Sequence, residues 1–398
     1  MLGVRAGRLF DGASSVVEQP LVLIDGQRVV SVQAGGQPPA GTEVIDLGSA
    51  TLLPGLIEAH LHLVFDASED PVGRLAAAGD GEVLDRMREA ARSCLDAGIT
   101  TVRDLGDRAY LTLQLRDEFA GDVTAGPHVV AAGPPITTPR GHCWYLGGEA
   151  EGTDGIRAAV RAHAERGVDV IKVMASGGGL TPGTPLHQAQ YRLSELRAAV
   201  QEAHRHGLPA TAHAHAVPAI ADAVAAGFDM IEHCTFVTAD GIHADPDVID
   251  AIARAGTVVS VLAGLLPGIA PPPRVAAVLP QLDAVIRQLC EAGIPVVCGT
   301  DAGIGPEKPH HVLPYGVAGL AGIGGYSHLE ALRAATSAAA RACGVGSRKG
   351  RIAPGFDADL LAVDGDPLTD LAALRAVKAV FRSGQQVRPM HPAPNGRH

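Results

Sequence analysis

Two histidines two residues apart stand in a long apolar run near the start of the chain. The run is LLPGLIEAHLHL, residues 52–63, and it contains His60 and His62. Alternate side chains of a β-strand point to the same face, so both imidazoles can reach one metal ion. An isolated His-x-His pair is equally compatible with a solvated strand end. Two further histidines lie in later apolar runs, His213 in PATAHAH and His233 in DMIEHC, and the four together favour a metal site.

Lys172 is the most informative single residue of the sequence. It is one of four lysines, and it alone interrupts an apolar strand pattern, VDVIKVMAS. Burial of an unpaired ammonium is costly, so this lysine should be neutral, paired or chemically converted. One interpretation is a side chain whose head reaches the end of the strand or meets a carboxylate. The other is that the amine takes up carbon dioxide and that the resulting carbamate bridges two metal ions.

Asp301 follows the last apolar run of the central region, IPVVCGTD. A carboxylate in this position can be the N-cap of a following helix. In a barrel of parallel strands, the C-terminal strand ends surround the active-site mouth. At such a strand end, Asp301 can instead bind a metal ion and transfer a proton.

The segments that must position these side chains share one pattern between about residues 52 and 343. An amphipathic helical stretch is followed by a glycine and a short apolar run, as in ERGVDVIKV at Gly167 and AAGFDMI at Gly227. A glycine just past a helix end can adopt the left-handed conformation, and a short connection then begins a strand. Eight such apolar runs predict an α/β fold, a (β/α)8 TIM barrel. An open, doubly wound sheet is the alternative.

The two ends of the chain have short β-rich runs broken by Asp-Gly and Ser-Gly turns. Neither end has enough strands for its own sheet core, so we expect both to form one small composite β-sandwich domain beside the barrel. The predicted division is residues 1–51 and 347–390 for that domain, 52–346 for the barrel and 391–398 for a tail. The stretch from Pro389 onward has three prolines and little to bury, which indicates poor order.

Composition and charge narrow the classes of function. The 398 residues include 32 Lys and Arg against 43 Asp and Glu, a net charge of −11, which argues against a nucleic-acid partner. The start, MLGVRAGRLFDG, has no apolar signal core, and no charge-free apolar run approaches the ~18 residues of a membrane span. Six cysteines without a Cys-x-x-Cys pair are typical of reduced thiols and a cytoplasmic protein. We expect a small-molecule substrate as partner, and a homo-oligomer is compatible with the sequence.

Several segments together resemble the amidohydrolase superfamily. They are LLPGLIEAHLH, VIKVMASGG, TAHAH, IEHC and GTDAG, followed by GRIAPGFDADLLAVDGDPLTD. The resemblance follows the family's order over nearly the whole chain and is greatest to the imidazolonepropionase-related and Xaa-Pro dipeptidase-like branch. It implies a centre of two divalent metal ions, with zinc as the expected ion. Carboxylated Lys172, a carbamate derived from carbon dioxide, is implied as the bridge.

The resemblance also assigns the remaining ligands. One ion is assigned to His60, His62 and Asp301. The other is assigned to His213 and His233, because the family's spacing between these two ligands is 20 residues, as it is here. One departure is Glu58, where the family usually has Asp two residues before the first histidine. We expect this change to leave the ligands themselves unaffected.

Three further residues are candidates for substrate contact. His142, in PRGHCWYLGGE, and Tyr191, in QAQYRLSEL, match positions that approach the substrate's carboxylate in related dipeptidases. Each has the alternative of a solvated loop residue. His215, two residues after His213, is expected either to contact the substrate or support a ligand, or to serve only in packing.

The implied reaction is metal-assisted hydrolysis of an amide or peptide-like C–N bond in a small carboxylate-bearing substrate, a dipeptide or an N-acyl amino acid. A hydroxide that bridges the ions would attack the carbonyl, and Asp301 would pass its proton to the leaving amine. A cyclic amide, lactone or phosphoester hydrolase is the alternative on the same site. Less favoured is a mononuclear deaminase, which does not need Lys172. A non-catalytic scaffold is also less favoured, since it would be expected to have lost ligands.

Overall fold

The structure is a computed structural model and describes residues 1–388. The tail predicted for residues 391–398 lies outside the described residues, as does the stretch from Pro389 that was expected to be poorly ordered.

The beginning of the chain forms seven short strands, as its β-rich pattern predicts. The seven are β1 (Leu2–Arg5), β2 (Arg8–Phe10), β3 (Val16–Glu18), β4 (Pro20–Asp25), β5 (Arg28–Ala34), β6 (Glu43–Asp46) and β7 (Thr51–Pro54). Four of them make one sheet in the order β5-β4-β1-β6, and the other three join a second sheet with strands from the end of the chain.

Eight strands of the central region pair in parallel with their neighbours and follow chain order in two hydrogen-bonded groups. The eight are β8 (Leu56–Leu61), β9 (Ile99–Asp104), β10 (His128–Ala131), β11 (Ile171–Met174), β12 (Ala210–Ala216), β13 (Met230–Thr238), β15 (Val258–Leu262) and β16 (Val296–Gly299). A two-residue strand, β14 (Gly241–Ile242), pairs antiparallel with β13.

Backbone hydrogen bonds join the two groups at both of their outer strands. The amide of His62 donates to the carbonyl of Ala302 at 3.0 Å, and the amide of Met174 donates to the carbonyl of Ile136 at 2.8 Å. The strand order also lacks the reversal of a doubly wound sheet. The chain therefore has a TIM-barrel-like α/β fold.

Twelve α-helices lie in the described residues, most of them between consecutive central strands. The twelve are α1 (Pro71–Ala77), α2 (Asp80–Asp96), α3 (Leu111–Gly121), α4 (Gly152–Arg166), α5 (Leu193–Arg205), α6 (Val217–Ala226), α7 (Pro246–Ala255), α8 (Pro273–Ala276), α9 (Leu279–Glu291), α10 (Leu313–Gly324), α11 (His328–Ala334) and α12 (Ser337–Ala342). Among them, α4 and α6 end at glycines in the left-handed conformation, Gly167 with φ 80° and Gly227 with φ 89°, as the glycine pattern predicts.

Three strands near the end of the chain complete the second terminal sheet. They are β17 (Leu360–Val363), β18 (Val377–Arg382) and β19 (Gln385–Arg388), and the sheet order is β19-β18-β17-β7-β2-β3. One buried cluster contains side chains of both terminal sheets, among them Val22 of β4 and Phe381 of β18. The two ends of the chain thus meet in one sheet and share a core, and the domain boundaries stay predictions.

The apolar run at residues 52–63 forms two strands, whereas the sequence predicted one. β7 pairs with β17 of the terminal sheet, and β8 pairs with β9 of the central strands. The chain changes sheets at Gly55, where a Cβ atom would lie 2.1 Å from Oγ1 of Thr100. Only glycine fits so close to the neighbouring strand, so this residue permits the crossing.

None of the helices within residues 1–388 is both long and apolar enough to cross a lipid bilayer. All six cysteines lie in the described part and are unpaired, and five of them are buried. Their role in the fold is apolar packing.

Candidate active site

The residues that the sequence predicts as metal ligands meet at one end of the central strands. All of them line a single cavity of about 650 Å³, a size typical of small-molecule sites. They are His60 at the end of β8, His62 just beyond it, Lys172 on β11, His213 on β12, His233 on β13 and Asp301 after β16.

Three of these side chains form a compact triangle. Nε2 of His60 lies 3.4 Å from Nε2 of His62, and Oδ1 of Asp301 lies 3.4 Å from the first and 3.3 Å from the second. Two ligands at the usual zinc distances in a tetrahedral site are about 3.3 to 3.4 Å apart. The spacing therefore fits three ligands of one ion.

The hydrogen bonds of the two imidazoles fix which nitrogens face the triangle. Nδ1 of His60 lies 2.8 Å from the Glu232 carboxylate, and Nδ1 of His62 lies 3.0 Å from the carbonyl oxygen of Gly106. Both partners can only accept, so each Nδ1 carries a proton and each Nε2 is the ring nitrogen left for a metal ion. The two Nε2 atoms and the carboxylate of Asp301 thus point at one another, an arrangement that a cation would stabilise.

Glu232 is anchored from the opposite side by a buried arginine. Nη2 of Arg103 donates to Oε1 of Glu232 at 2.8 Å, and Oγ1 of Thr211 donates to the same oxygen at 2.6 Å. Burial alone would raise the pKa of Glu232, but the Arg103 guanidinium and His60 hold it well below its usual range. Burial lowers the pKa of His60 to about 4. The pair at neutral pH is therefore a carboxylate and a neutral imidazole, which is the form that binds metal.

The other group of nominated ligands consists of imidazoles. Nε2 of His213 lies 3.1 Å from the carbonyl oxygen of Gly177 and must donate to it, so its Nδ1 lone pair faces Nε2 of His233 at 2.8 Å. His215 lies beside both, with its ring centroid 4.3 Å from that of His233. The ligand atoms of all three lie within 4.8 Å of one another. Geometry alone does not separate His213 from His215, so that choice still rests on the family's spacing.

Lys172 is almost fully enclosed, with 2% of its surface exposed. Burial lowers the pKa of its ammonium to about 8, even though Glu232 and Asp301 act in the opposite direction. In an appreciable fraction of the molecules, Lys172 is therefore a neutral amine at neutral pH. Only that form can react with carbon dioxide.

Two of the nominated ligands sit in strained backbone. His233 has φ 68° and Asp301 has φ 61°, in the left-handed region that non-glycine residues rarely adopt. The pairing of β12 with β13 also shifts register just after His233. Such conformations cost about 1–3 kcal/mol each and persist where the surrounding structure enforces them. The strain turns both side chains towards the cavity and was invisible in the sequence.

The structure separates the residues nominated for substrate contact. His142 lines the cavity, its ring centroid lies 4.7 Å from that of His213, and its Nδ1 has no hydrogen-bond partner within residues 1–388. Burial lowers the pKa of His142 to about 3, so the ring is neutral and offers one N–H. His215 also lines the cavity. Tyr191 does not, and its hydroxyl donates to the carbonyl of Ala150 at 2.7 Å.

The prediction of Tyr191 as a substrate contact therefore needs correction, because its one donor is already used by the carbonyl of Ala150. The sequence interpretation also missed Arg103 and Glu232. Both interrupt apolar strand runs, ITTVRD and MIEHC, in the same way as Lys172, so the signal was present. Glu58 holds β8 against β16, because it accepts hydrogen bonds from the amide and the hydroxyl of Thr300 at 3.0 and 2.7 Å.

The chain is similar in sequence and in fold to several known proteins. The chain is 27% identical over 368 residues to ochratoxinase of Aspergillus niger, covering 83% of this chain and 73% of the relative. It is 29% identical over 405 residues to imidazolonepropionase of Streptomyces griseus, covering 94% and 93%. A crystal structure of a Xaa-Pro dipeptidase with methionine bound in its active site superposes with a TM-score of 0.83 at 27% identity, covering 97% and 99%. The pattern that defines the amidohydrolase family matches residues 51–387, and the chain is therefore a hydrolase that belongs to this family.

Proposed function

We propose that this amidohydrolase hydrolyses an amide or peptide-like C–N bond in a small carboxylate-bearing substrate, a dipeptide or an N-acyl amino acid, at a centre of two divalent ions. The observation that carries the proposal is the triangle of His60, His62 and Asp301. Its three facing ligand atoms have a spacing compatible with a bound cation and open into a cavity of small-molecule size. Amide-type bonds are favoured because relatives of the chain include an imidazolonepropionase and a Xaa-Pro dipeptidase.

The residues divide into two ligand groups and a bridge. The triangle would hold one ion, His213 and His233 the other, and Lys172 would join them as a carbamate. Zinc is the ion we expect, since neutral imidazoles and carboxylates suit it. Bound ions of this kind supply an acidified water and polarise the substrate's carbonyl group.

The protein's own groups perform the proton transfer and the positioning. Oδ1 of Asp301 faces the two imidazoles, which leaves the second carboxylate oxygen to take a proton and return it to the leaving amine. Nδ1 of His142 has no partner within residues 1–388, so in the tautomer with its proton there His142 donates to the substrate, and hydrogen bonds to developing negative charge are stronger than those to neutral groups. His215 would contact the substrate or support His233.

The central strands would close into a full (β/α)8 barrel, supported by the bridges at both outer strands, and the terminal sheets would form a β-sandwich domain. Cytoplasmic location, a homo-oligomer and the lack of nucleic-acid or membrane partners remain predictions from the sequence.

A substrate screen of the metal-loaded protein tests the proposal. We expect zinc or manganese to restore amine release from dipeptides or N-acyl amino acids, and His62→Asn to abolish it. His204→Asn is the matched control, because His204 is an exposed histidine paired with Asp229 at 2.9 Å. A folded, metal-loaded protein that cleaves only lactones or phosphoesters would overturn the choice of substrate. A protein that takes up no metal would overturn the site.

A further inference from the structure

Arg274 lies at the mouth of the cavity with most of its hydrogen-bonding capacity unused. It belongs to α8, is exposed to solvent and lines the same cavity as the nominated ligands. Its guanidinium donates one hydrogen bond, from Nη2 to the carbonyl oxygen of Gly179 at 3.3 Å, and forms no ion pair with a carboxylate of residues 1–388. A guanidinium has five N–H donors in a planar fork, so a carboxylate can still bind to it in a bidentate manner.

A run of three glycines connects Arg274 to the metal ligands. The carbonyl of Gly177 accepts from Nε2 of His213 at 3.1 Å, and the carbonyl of Gly179 accepts from Arg274. The glycine between them packs so closely on His142 that a Cβ atom would lie 2.3 Å from Nε2 of the ring. Two extended residues span at most about 7 Å. This chain of contacts limits how far the guanidinium can lie from the ligand cluster, and the limit is within the reach of one small molecule.

The other cations that line the cavity have different partners. Nζ of Lys308 donates to the carbonyl of Thr300 at 2.5 Å. Glu307, which also lines the cavity, interacts with this ammonium. Lys172 lies deep in the cavity and is assigned to the bridge. Among the described lysines and arginines of the cavity, Arg274 is thus the one with free donors facing its mouth.

The wall next to Arg274 is aliphatic. Val275, Val278, Leu282 and Ile286, on α8, at its junction with α9 and on α9, line the cavity within twelve residues of the arginine. Burying an apolar group there contributes about 25 cal/mol per Å² of area removed from water. A cation and an apolar wall on one short segment suit a group that has a carboxylate beside a large apolar side chain.

We propose that Arg274 binds the free carboxylate of the substrate, and that the amino acid released by hydrolysis has a large aliphatic or aromatic side chain. The inference rests on the proposed hydrolase function and adds its specificity. It also replaces Tyr191, whose hydroxyl is committed to Ala150, as the partner of that carboxylate.

The test measures the hydrolysis of an acid and of its amide, and the binding of an acid that cannot be cleaved. N-benzoyl-L-leucine and N-benzoyl-L-leucinamide serve as substrates, and N-benzyl-L-leucine, which has an amine in place of the amide, serves as an uncleavable ligand for calorimetry. For Arg274→Met we expect kcat/KM for the acid to fall about 10- to 150-fold, with the value for the amide unchanged within about twofold. The Kd of N-benzyl-L-leucine should rise by about tenfold or more, and Arg274→Lys should keep part of the preference because it keeps the charge.

Arg287→Met is the matched control, because Arg287 is an exposed arginine on α9 that does not line the cavity and donates a hydrogen bond to the carbonyl of Ile323. Equal effects of Arg274→Met on acid and amide, or an unchanged Kd, would overturn the inference while the hydrolase proposal stands. If the wild-type protein cleaves neither substrate nor any other amide, the hydrolase proposal fails, and calorimetry still decides whether Arg274 binds the carboxylate.

Discussion

The two proposed ligand groups differ in their charge and in the groups that orient them. The triangle of His60, His62 and Asp301 contains a carboxylate, and both of its imidazoles are oriented by acceptors behind them, Glu232 and the Gly106 carbonyl. The imidazole group of His213, His215 and His233 contains no carboxylate. His213 is buried and the other two are partly buried, and burial lowers the pKa of each ring, so all are neutral.

The difference indicates where charge must come from when metals bind. A divalent ion in the triangle would be partly neutralised by Asp301 and would meet preoriented ligands. An ion held by neutral imidazoles in a buried cavity lacks a counter-charge, and an uncompensated buried charge is costly. A carbamate on Lys172 would supply that charge to both ions. We therefore expect the triangle to bind the first ion tightly and the imidazole group to depend on Lys172.

The largest effect is expected for Asp301→Asn. The amide keeps the shape of the side chain but cannot act as an anionic ligand or accept the proton. We predict a fall in kcat/KM of about 10³-fold or more, together with loss of the tightly bound ion, measured by steady-state kinetics and by elemental analysis of metal content. Asp250→Asn on α7, an exposed aspartate, is the control. Full metal content with near-normal activity would break the assignment of the triangle.

Lys172→Ala should separate the two groups. We expect metal content to fall from about two equivalents to about one and activity to fall by about 10²- to 10³-fold, because the imidazole group loses its anionic partner. Propionate should partly restore the second ion by occupying the vacated space. The surface variant Lys378→Ala, which removes a lysine paired with Asp364 at 3.4 Å, should change neither quantity. Retention of both ions in Lys172→Ala would contradict the dependence on the bridge.

The same contrast shows what the sequence could reveal. The alternation of apolar runs and glycines predicted the central strands. Charged or histidine residues inside those runs indicated the side chains that meet in the cavity, because a polar group in a buried strand needs a reason. Arg103 and Glu232 had the same signal. Sequence spacing could not reveal the left-handed backbone at His233 and Asp301, which depends on how neighbouring strands constrain the chain. Nor could it show that the hydroxyl of Tyr191 turns away from the cavity.

A smaller effect is expected from the residues behind the triangle. Glu232→Gln keeps an acceptor for Nδ1 of His60 but leaves the buried Arg103 without a counter-charge. We predict that the affinity for the first ion falls by about 10- to 100-fold, measured by competition with a chelator. We also expect kcat to fall while KM changes little. Thr211→Val removes only the hydroxyl that donates to Glu232 and should cost a few-fold at most. If the two variants behave alike, charge at Glu232 does not orient His60.

The smallest effect on hydrolysis, and a clear effect on stability, is expected for Asp359→Asn. Asp359 lies in the terminal β region, where its carboxylate pairs with the buried Lys349 at 2.5 Å and accepts from the amide of Ser383 at 2.7 Å. Burial alone would raise the pKa of Asp359, but Lys349 and the Ser383 amide hold it below its ordinary value. A carboxyl with a depressed pKa in the folded state contributes stability that is present above its unfolded pKa and lost as pH falls through the folded one.

At neutral pH, Asp359→Asn should therefore lower the free energy of unfolding by about 3 kcal/mol. This value is the lower end of the range for breaking a buried ion pair, because Lys349 keeps a second carboxylate partner, Asp357, at 3.1 Å. Towards acidic pH the variant should lose less stability than the wild type, because it lacks this titration. Urea unfolding across that range measures both quantities, with Asp364→Asn, at an exposed pair, as control. Activity per folded molecule at neutral pH should stay within about twofold, because the pair does not line the cavity. A proportionate loss of bound metal would instead couple the terminal sheets to the active site and weaken the distinction between metal binding and folding.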